Sequence, residues 1–201
     1  MKIICFEGSD ACGKATQSKM FANSCNVVGW RAKRVEIPYN DKFTYKLIYK
    51  LINSKKIKNY QFLFQVLQIL NKFLFQIFNW KKLEKDYDVL VLDRWKMSTE
   101  AFGKISDVTP LTWKFSNWLL KNPTLTIIFW GESYNKKDLD EYEKDDEFQL
   151  AVKYRYLELS EHYGKDSNIN NTHGIVEFID IRGLSIEEVQ IKVHDIVIKH
   201  V

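Results

Sequence analysis

The chain has 201 residues, enough for one domain with a substantial interior. Its 45% hydrophobic and 28% charged residues are ordinary globular values and leave no place for a low-complexity or collagen-like chain. The formal net charge of +4 suits anionic small molecules as well as nucleic acid and separates neither.

The first apolar run, "KIICFE", reads as a strand. The start "MKIICFEG" lacks the pattern of a signal peptide. Cys5, Cys12 and Cys25 are an odd, sparse set without metal-ligand spacing, so the expected compartment is reducing and cytoplasmic, with no structural metal. The strand runs into "FEGSDACGKATQS", in which Gly8 and Gly13 are separated by four residues and Lys14 follows directly. Chance alone would place Gly-x4-Gly-Lys in about one chain in fifteen of this length. A strand before it and a helix after it, here residues 13–29, give the context that a phosphate-binding loop requires. Glycines let successive N–H groups curl around an anion, the helix start adds a positive dipole end, and Lys14 adds a full charge. The residue that normally brings a hydroxyl to the metal is Ala15; Thr16, one step on, is placed to reach an α-phosphate.

A shorter, more polar run, "KRVEI", is the second strand, followed by "IPYND" and a helix over residues 42–54. Residues 59–85 form a long helix. Its apolar stretch "FLFQVLQILNKFLFQIFNW" is interrupted by Gln65, Gln68, Asn71, Lys72 and Gln76, which fits a buried or dimer-forming helix rather than a membrane span. The lysines of "NSKKIKN" and "NWKKLEK" read as solvated helix ends. "DVLVLD" is the third strand and leads into "LDRW" and helices over 94–104 and 109–121. "LTIIFW" and "IVEFID" are strands four and five, with helices over 146–163 and 185–200. Ser185 and Glu188 make a capping box for the last helix. This alternation predicts an α/β domain with a parallel sheet. Ligands in such sheets bind beyond the carboxyl ends of the strands. The rule points to the first loop, to "IPYND" with Pro38 and Tyr39, and to "LDRW" with Asp93 and Arg94.

Several stretches together resemble the thymidylate kinase family of nucleoside-monophosphate kinases: "FEGSDACGKATQ", "LDRWKMSTEAF", "DEYEKDDEFQLAVKYRYLEL" and "FIDIRGLSIEEV". The resemblance implies a three-layer P-loop NTPase fold over residues 1–201, with a five-stranded parallel sheet, helices on both faces and a short lid at about 133–147. It implies transfer of a phosphoryl group from ATP to a deoxynucleoside monophosphate, dTMP first, with Mg2+ as cofactor and a homodimer as the working form. Membrane and nucleic acid are not expected partners. In this reading Gly8, Ser9, Asp10, Ala11, Cys12, Gly13, Lys14, Ala15 and Thr16 hold the ATP phosphates, and Arg182 lies near the ATP base. Arg94 binds the acceptor phosphate, Asp93 organises magnesium through water, and Asp10 meets the acceptor sugar hydroxyl. Ser98 and the lid residue Tyr142 complete the acceptor side. Phosphoryl transfer demands two polyanions brought in line and neutralised, and the planar fork of Arg94 suits that task. A plain ion pair between Asp93 and Arg94 at a strand end is the bland alternative.

The chain also departs from that pattern. Phe64 stands where a base-stacking aromatic belongs, although Phe62, Leu63, Val66 and Leu67 crowd the same helix and allow a core role. Gln68, four residues on and on the same face, replaces an arginine; its amide matches thymine and adenine edges alike. "IPYND" lacks a phosphate-binding arginine, leaving Lys42 or Lys46. "NKKDLDEYEKDDEF" contains no arginine either, leaving Lys136, Lys137 or Lys144 to supply charge. A deoxynucleoside kinase, a kinase of broader base preference and a catalytically weak nucleotide-binding module are the competing readings. A redox role for Cys12 competes with that of a neutral loop residue.

Overall fold

In the computed structural model, which describes residues 1–41, 43–54, 57–131, 146–164 and 172–201, all five apolar runs are strands. They are β1 (Lys2–Gly8), β2 (Ala32–Glu36), β3 (Val89–Asp93), β4 (Leu125–Trp130) and β5 (Ile175–Asp180). All pair in parallel, in the order β2-β3-β1-β4-β5. The helices are α1 (Lys14–Val27), α2 (Thr44–Ile52), α3 (Gln61–Asp86), α4 (Lys96–Ile105), α5 (Pro110–Leu119), α6 (Asp146–Gly164) and α7 (Ile186–His200), within a few residues of the ranges read from the sequence.

The strands are near-continuously apolar because both faces of the sheet are covered. On one face Ile4, Phe6, Val91 and Ile127 pack against Phe21 and Ala22 of α1 and Val189 and Val193 of α7. On the other, Ile3, Cys5, Leu90 and Leu92 meet Phe75, Trp80 and Leu83 of α3. Further along that face Ile128 and Val176 meet Met97 and Ala101 of α4 and Val152, Tyr156 and Leu159 of α6. Each fully buried side chain of this size contributes roughly 1.5–3 kcal/mol. Among the described residues no helix is long and apolar enough to cross a membrane.

Strand order reverses at β1, which has β3 on one side and β4 on the other. A crevice opens at such a point beyond the carboxyl ends of the strands. The turns that leave β1, β2 and β3 all meet there.

Candidate active site

The turn from β1 into α1 is built on two glycines with different tasks. A Cβ on Gly8 would stand 2.4 Å from the Phe129 carbonyl oxygen and 2.9 Å from Cys12 Sγ, so the loop passes β4 too closely for any side chain. Gly13 caps α1 with φ 82°, and nothing lies within 4 Å of its missing Cβ; here the requirement is conformation, not space. Lys14, the first residue of α1, is buried and folds back over the loop, its Nζ donating to the Ser9 carbonyl and lying 3.5 Å from Cys12 Sγ. The ammonium thus stands over the loop backbone where an anion's oxygens would gather.

Arg94 leaves the end of β3 with φ 68°, a left-handed turn that swings its side chain across to β1. Its guanidinium pairs with Asp10, donates to the Gly8 carbonyl at 3.1 Å and lies 5.2 Å from the centre of the Phe102 ring. Burial pushes the Asp10 carboxyl up, but Arg94, Lys14 and a 3.0 Å hydrogen bond from Gln149 Nε2 outweigh it and hold Asp10 below the usual carboxylate range. Burial disfavours the charged Arg94 as well, and Asp10, first among several neighbouring groups that together outweigh burial, keeps the guanidinium charged. Gln149 belongs to the first turns of α6, immediately after the expected lid, and ties that helix to the loop.

Glu7 supports this arrangement from below. It is buried at the end of β1, and one oxygen accepts the backbone N–H of Trp95 at 2.6 Å and that of Ser98 at 3.3 Å. A carboxylate at the first turn of α4 offsets the helix dipole and fixes where the Arg94 turn begins. Its other oxygen accepts the Tyr156 hydroxyl at 2.9 Å. Burial and Glu7 together push that phenol well above its ordinary range, so it remains a donor.

Two cavities meet at Arg94. The larger, about 660 Å³, runs along the loop and the start of α1, with Asp93 at its head and Ile181, Leu184, Ile186 and Val189 as an apolar wall. The smaller, about 220 Å³, lies between α2, α3 and α4 and is lined by Pro38, Phe64, Gln68, Lys72, Ser98 and Thr99 among others. Asp10, Glu36 and Arg94 line both. Lys72 is buried in the smaller one, its Nζ donating to Thr99 Oγ1 at 2.5 Å and Ser98 Oγ at 3.3 Å. Burial lowers its pKa to about 8, with Glu7 opposing and Arg94 adding to the effect.

The expected residues divide accordingly. Asp10, Ala11, Cys12, Gly13, Lys14, Ala15, Thr16, Asp93 and Arg94 line the larger cavity, and the carbonyls of Gly8 and Ser9 brace Arg94 and Lys14. Phe64, only 6% exposed, packs against Ile48, Leu51 and Leu67, as the core reading expects, and is also among the residues lining the smaller cavity. Asp93 and Arg94 do not pair with each other. Asp93 takes Arg34 at 2.6 Å, and Arg94 takes Asp10.

Tyr39 and Arg182 line neither cavity among the described residues. Tyr39 has its backbone clasped by Asn71 at 2.7 and 2.8 Å and its ring against Phe75. Arg182 bonds Asp180, and its guanidinium lies 4.2 Å from the centre of the Trp130 ring. Lys46 is exposed on α2 and lines neither cavity. Lys42, Lys136, Lys137, Tyr142, Lys144 and all of the expected lid before residue 146 lie outside the described residues.

Sequence reasoning passed over Glu7, Arg34, Glu36, Lys72, Gln149 and Tyr156. Lys72 had a legible signal: it is four residues beyond Gln68 and eight beyond Phe64, on the same helix face. The strand residues had none, since their roles arise from pairing with distant elements.

No protein-family model matches the chain, and no curated protein sequence does. Its fold is that of solved thymidylate kinases. The enzyme from Candida albicans superposes with a TM-score of 0.74 over 98% of this chain and 91% of its own, at 21% identity. The enzyme from Ehrlichia chaffeensis superposes with a TM-score of 0.71 over 98% of both chains, at 17% identity.

Proposed function

We propose that residues 1–201 act as one ATP-dependent nucleoside-monophosphate kinase domain that converts a deoxynucleoside monophosphate, dTMP first, to its diphosphate. The observation that carries the reading is the meeting of two cavities at one buried arginine, with a lysine-bearing phosphate loop in one and a base-sized pocket in the other. A phosphoryl donor and a phosphoryl acceptor must approach end to end, and Arg94 stands where their phosphates would converge.

In this mechanism the triphosphate lies along the loop, with Lys14 leaving the Ser9 carbonyl to meet its outer phosphates. The apolar wall of Ile181, Leu184 and Val189 receives the donor's base. The acceptor enters the smaller cavity, its base against Phe64, Gln68 and Lys72, its sugar toward Asp10 and its phosphate on the Arg94 fork. Gln149 keeps Asp10 oriented, and Glu7 and Tyr156 hold the α4 turn from which Arg94 projects. Asp93 and Glu36, both carboxylates on the larger cavity, fit a magnesium ion held largely through water, whereas the Ala15 side chain offers it no oxygen. Such an ion, when bound, would neutralise phosphate charge.

The Candida enzyme is described as having broad substrate specificity. Gln68 and Lys72, which replace any single fixed base reader in the pocket, support a similar breadth here. Unbridged thiols at Cys5, Cys12 and Cys25 support a reducing, cytoplasmic setting. The exposed apolar side chains Phe62, Val66 and Leu70 of α3, beside Leu111 and Phe115 of α5, support a homodimer.

ADP release is the deciding assay, run with ATP, Mg2+ and each deoxynucleoside monophosphate in turn, with thymidine beside them. Turnover with dTMP or another monophosphate is the expected result. Turnover with thymidine alone would make the chain a deoxynucleoside kinase. ATP binding without product would leave a nucleotide-binding module, a reading that Ala15 and the Arg34–Asp93 pair favour.

A further inference from the structure

Arg34 has no part in the proposed reaction and lines neither cavity, yet it bonds two carboxylates, Glu36 and Asp93, that line the larger one. It precedes Glu36 by two residues on β2, so both side chains leave the same face of the sheet. Asp93 shares that face, because Glu36 and Asp93 are register partners in the β2–β3 pair. Neighbouring strands stand about 4.8 Å apart, which makes the two carboxylates close neighbours. The Arg34 guanidinium lies between them. Its Nη2 donates to Asp93 Oδ2 at 2.6 Å and to Glu36 Oε2 at 3.2 Å, and its Nε donates to Ser18 Oγ of α1 at 2.7 Å. The Asp93 side chain is 7% exposed and that of Arg34 23%, so water screens this contact poorly.

Ala15, in the loop beside it, has no side-chain hydroxyl to offer a metal, and the carboxylate at the end of β3 already holds a cation. We propose that Arg34 is a built-in counter-cation that competes with the divalent ion for Asp93 and Glu36, and so sets how tightly a metal–nucleotide complex is held. The inference rests on the kinase reading above. Lys14 and Arg94 stand with Asp10, Glu36 and Asp93 on the cavity wall, and Arg34, bonded to Glu36 and Asp93, supplies the third cation against the three carboxylates before any ligand arrives. A metal ion must share both carboxylates with the guanidinium or displace it; without Arg34 the pair attracts the ion unopposed.

A purely structural Arg34, pinning β2 to α1 through Ser18, would leave metal affinity unmoved. The test is Mn2+ binding to the full chain in the presence of ADP, followed by the electron paramagnetic resonance signal of free Mn2+. Arg34→Gln should tighten Mn2+ about tenfold or more, the order expected when a like charge a few ångströms from the ion is removed. Arg34→Lys, which keeps the charge and loses the three-way fork, should fall between the two. On an Asp93→Asn background, Arg34→Gln should change Mn2+ binding far less. Unchanged or weaker Mn2+ binding by a folded Arg34→Gln chain overturns the proposal. Should that chain not fold, Arg34→Lys decides alone: tighter binding than the parent supports the proposal, equal or weaker binding overturns it. Absence of any Mn2+–ADP binding by the parent chain would remove the kinase reading together with this one. Binding that is present but indifferent to residue 34 removes this one alone.

Discussion

Arg94 and Asp10 form an ion pair on the boundary between the two cavities, with Gln149 on the other oxygen of the same carboxylate. Asp10 therefore holds the guanidinium aimed at the point where both cavities meet. Arg94→Ala should lower kcat/KM for the monophosphate about 10²–10³-fold, as expected for loss of a charged donor to a transferring group. ADP affinity measured by calorimetry should change little. Arg94→Lys should recover only a small part, because a point charge cannot reproduce the fork. An equal loss of ADP affinity would mean that Arg94 shapes the loop rather than binding the acceptor.

Lys14 offers a cleaner variant. Its ammonium bonds within its own loop, to the Ser9 carbonyl, and lies near Cys12 Sγ of the same loop. Lys14→Ala should weaken ATP binding by at least tenfold and turnover by orders of magnitude, with the melting temperature within about 2 °C of the parent. Unaltered nucleotide affinity would end its assignment to the phosphates.

The architecture was readable because β1, β3 and β4 are covered on both faces and so appear as unbroken apolar runs between helical segments. The loop was readable because two glycines with a lysine are a local pattern. The Arg34 partnership was not, since it joins residues 59 positions apart through strand register, which no local spacing encodes. Lys72 reads in the sequence as an interruption of an apolar helix. Its meaning appears only once α4 brings Ser98 and Thr99 against it.

Lys72 predicts a pH dependence. Its pKa of about 8 means that the ammonium is present below that pH and lost above it. The acceptor offers carbonyl and phosphate oxygens, which bind the cation more tightly than the free amine. Acceptor affinity should thus be flat below pH 8 and weaken above it, by up to about tenfold per pH unit. Isothermal titration from pH 6.5 to 9.5 would read this directly. Lys72→Arg should flatten the profile. Lys96 is also lowered to about 8, but its ammonium bonds the Leu120 carbonyl and Asn122 on the far side of α4. A slope that survives Lys72→Arg would assign the titration there instead.

The apolar strip on α3 and α5 predicts an assembly state. Phe62 is 61% exposed and Leu111 76%, and with Val66, Leu70 and Phe115 they form one groove of about 640 Å³. Exposed apolar patches of that kind mark association surfaces. Light scattering should give twice the chain mass, and Val66→Asp with Leu70→Glu should give the chain mass without loss of helix content. A monomeric parent chain would refute the homodimer.

Glu7 predicts a stability effect whose cause lies outside the cavities. A glutamate in a buried strand is tolerated because each oxygen has its donor: Trp95 and Ser98 N–H on one, the Tyr156 hydroxyl on the other. Glu7→Gln keeps shape and volume but replaces one acceptor oxygen with an NH2 group. The glutamine oxygen can keep the two backbone donors only by turning its NH2 group toward the Tyr156 hydroxyl, which then loses its acceptor. The reverse orientation sets NH2 against two N–H donors at the α4 start. Either way a buried polar group goes unpaired, at a cost of about 1–3 kcal/mol. For a chain of this size that lowers the melting temperature by roughly 2–10 °C. Because α4 carries Ser98 and Thr99 and begins beside Arg94, acceptor KM should rise more than the KM for ATP. A variant that melts with the parent would show that the strand carboxylate is not what anchors the α4 turn.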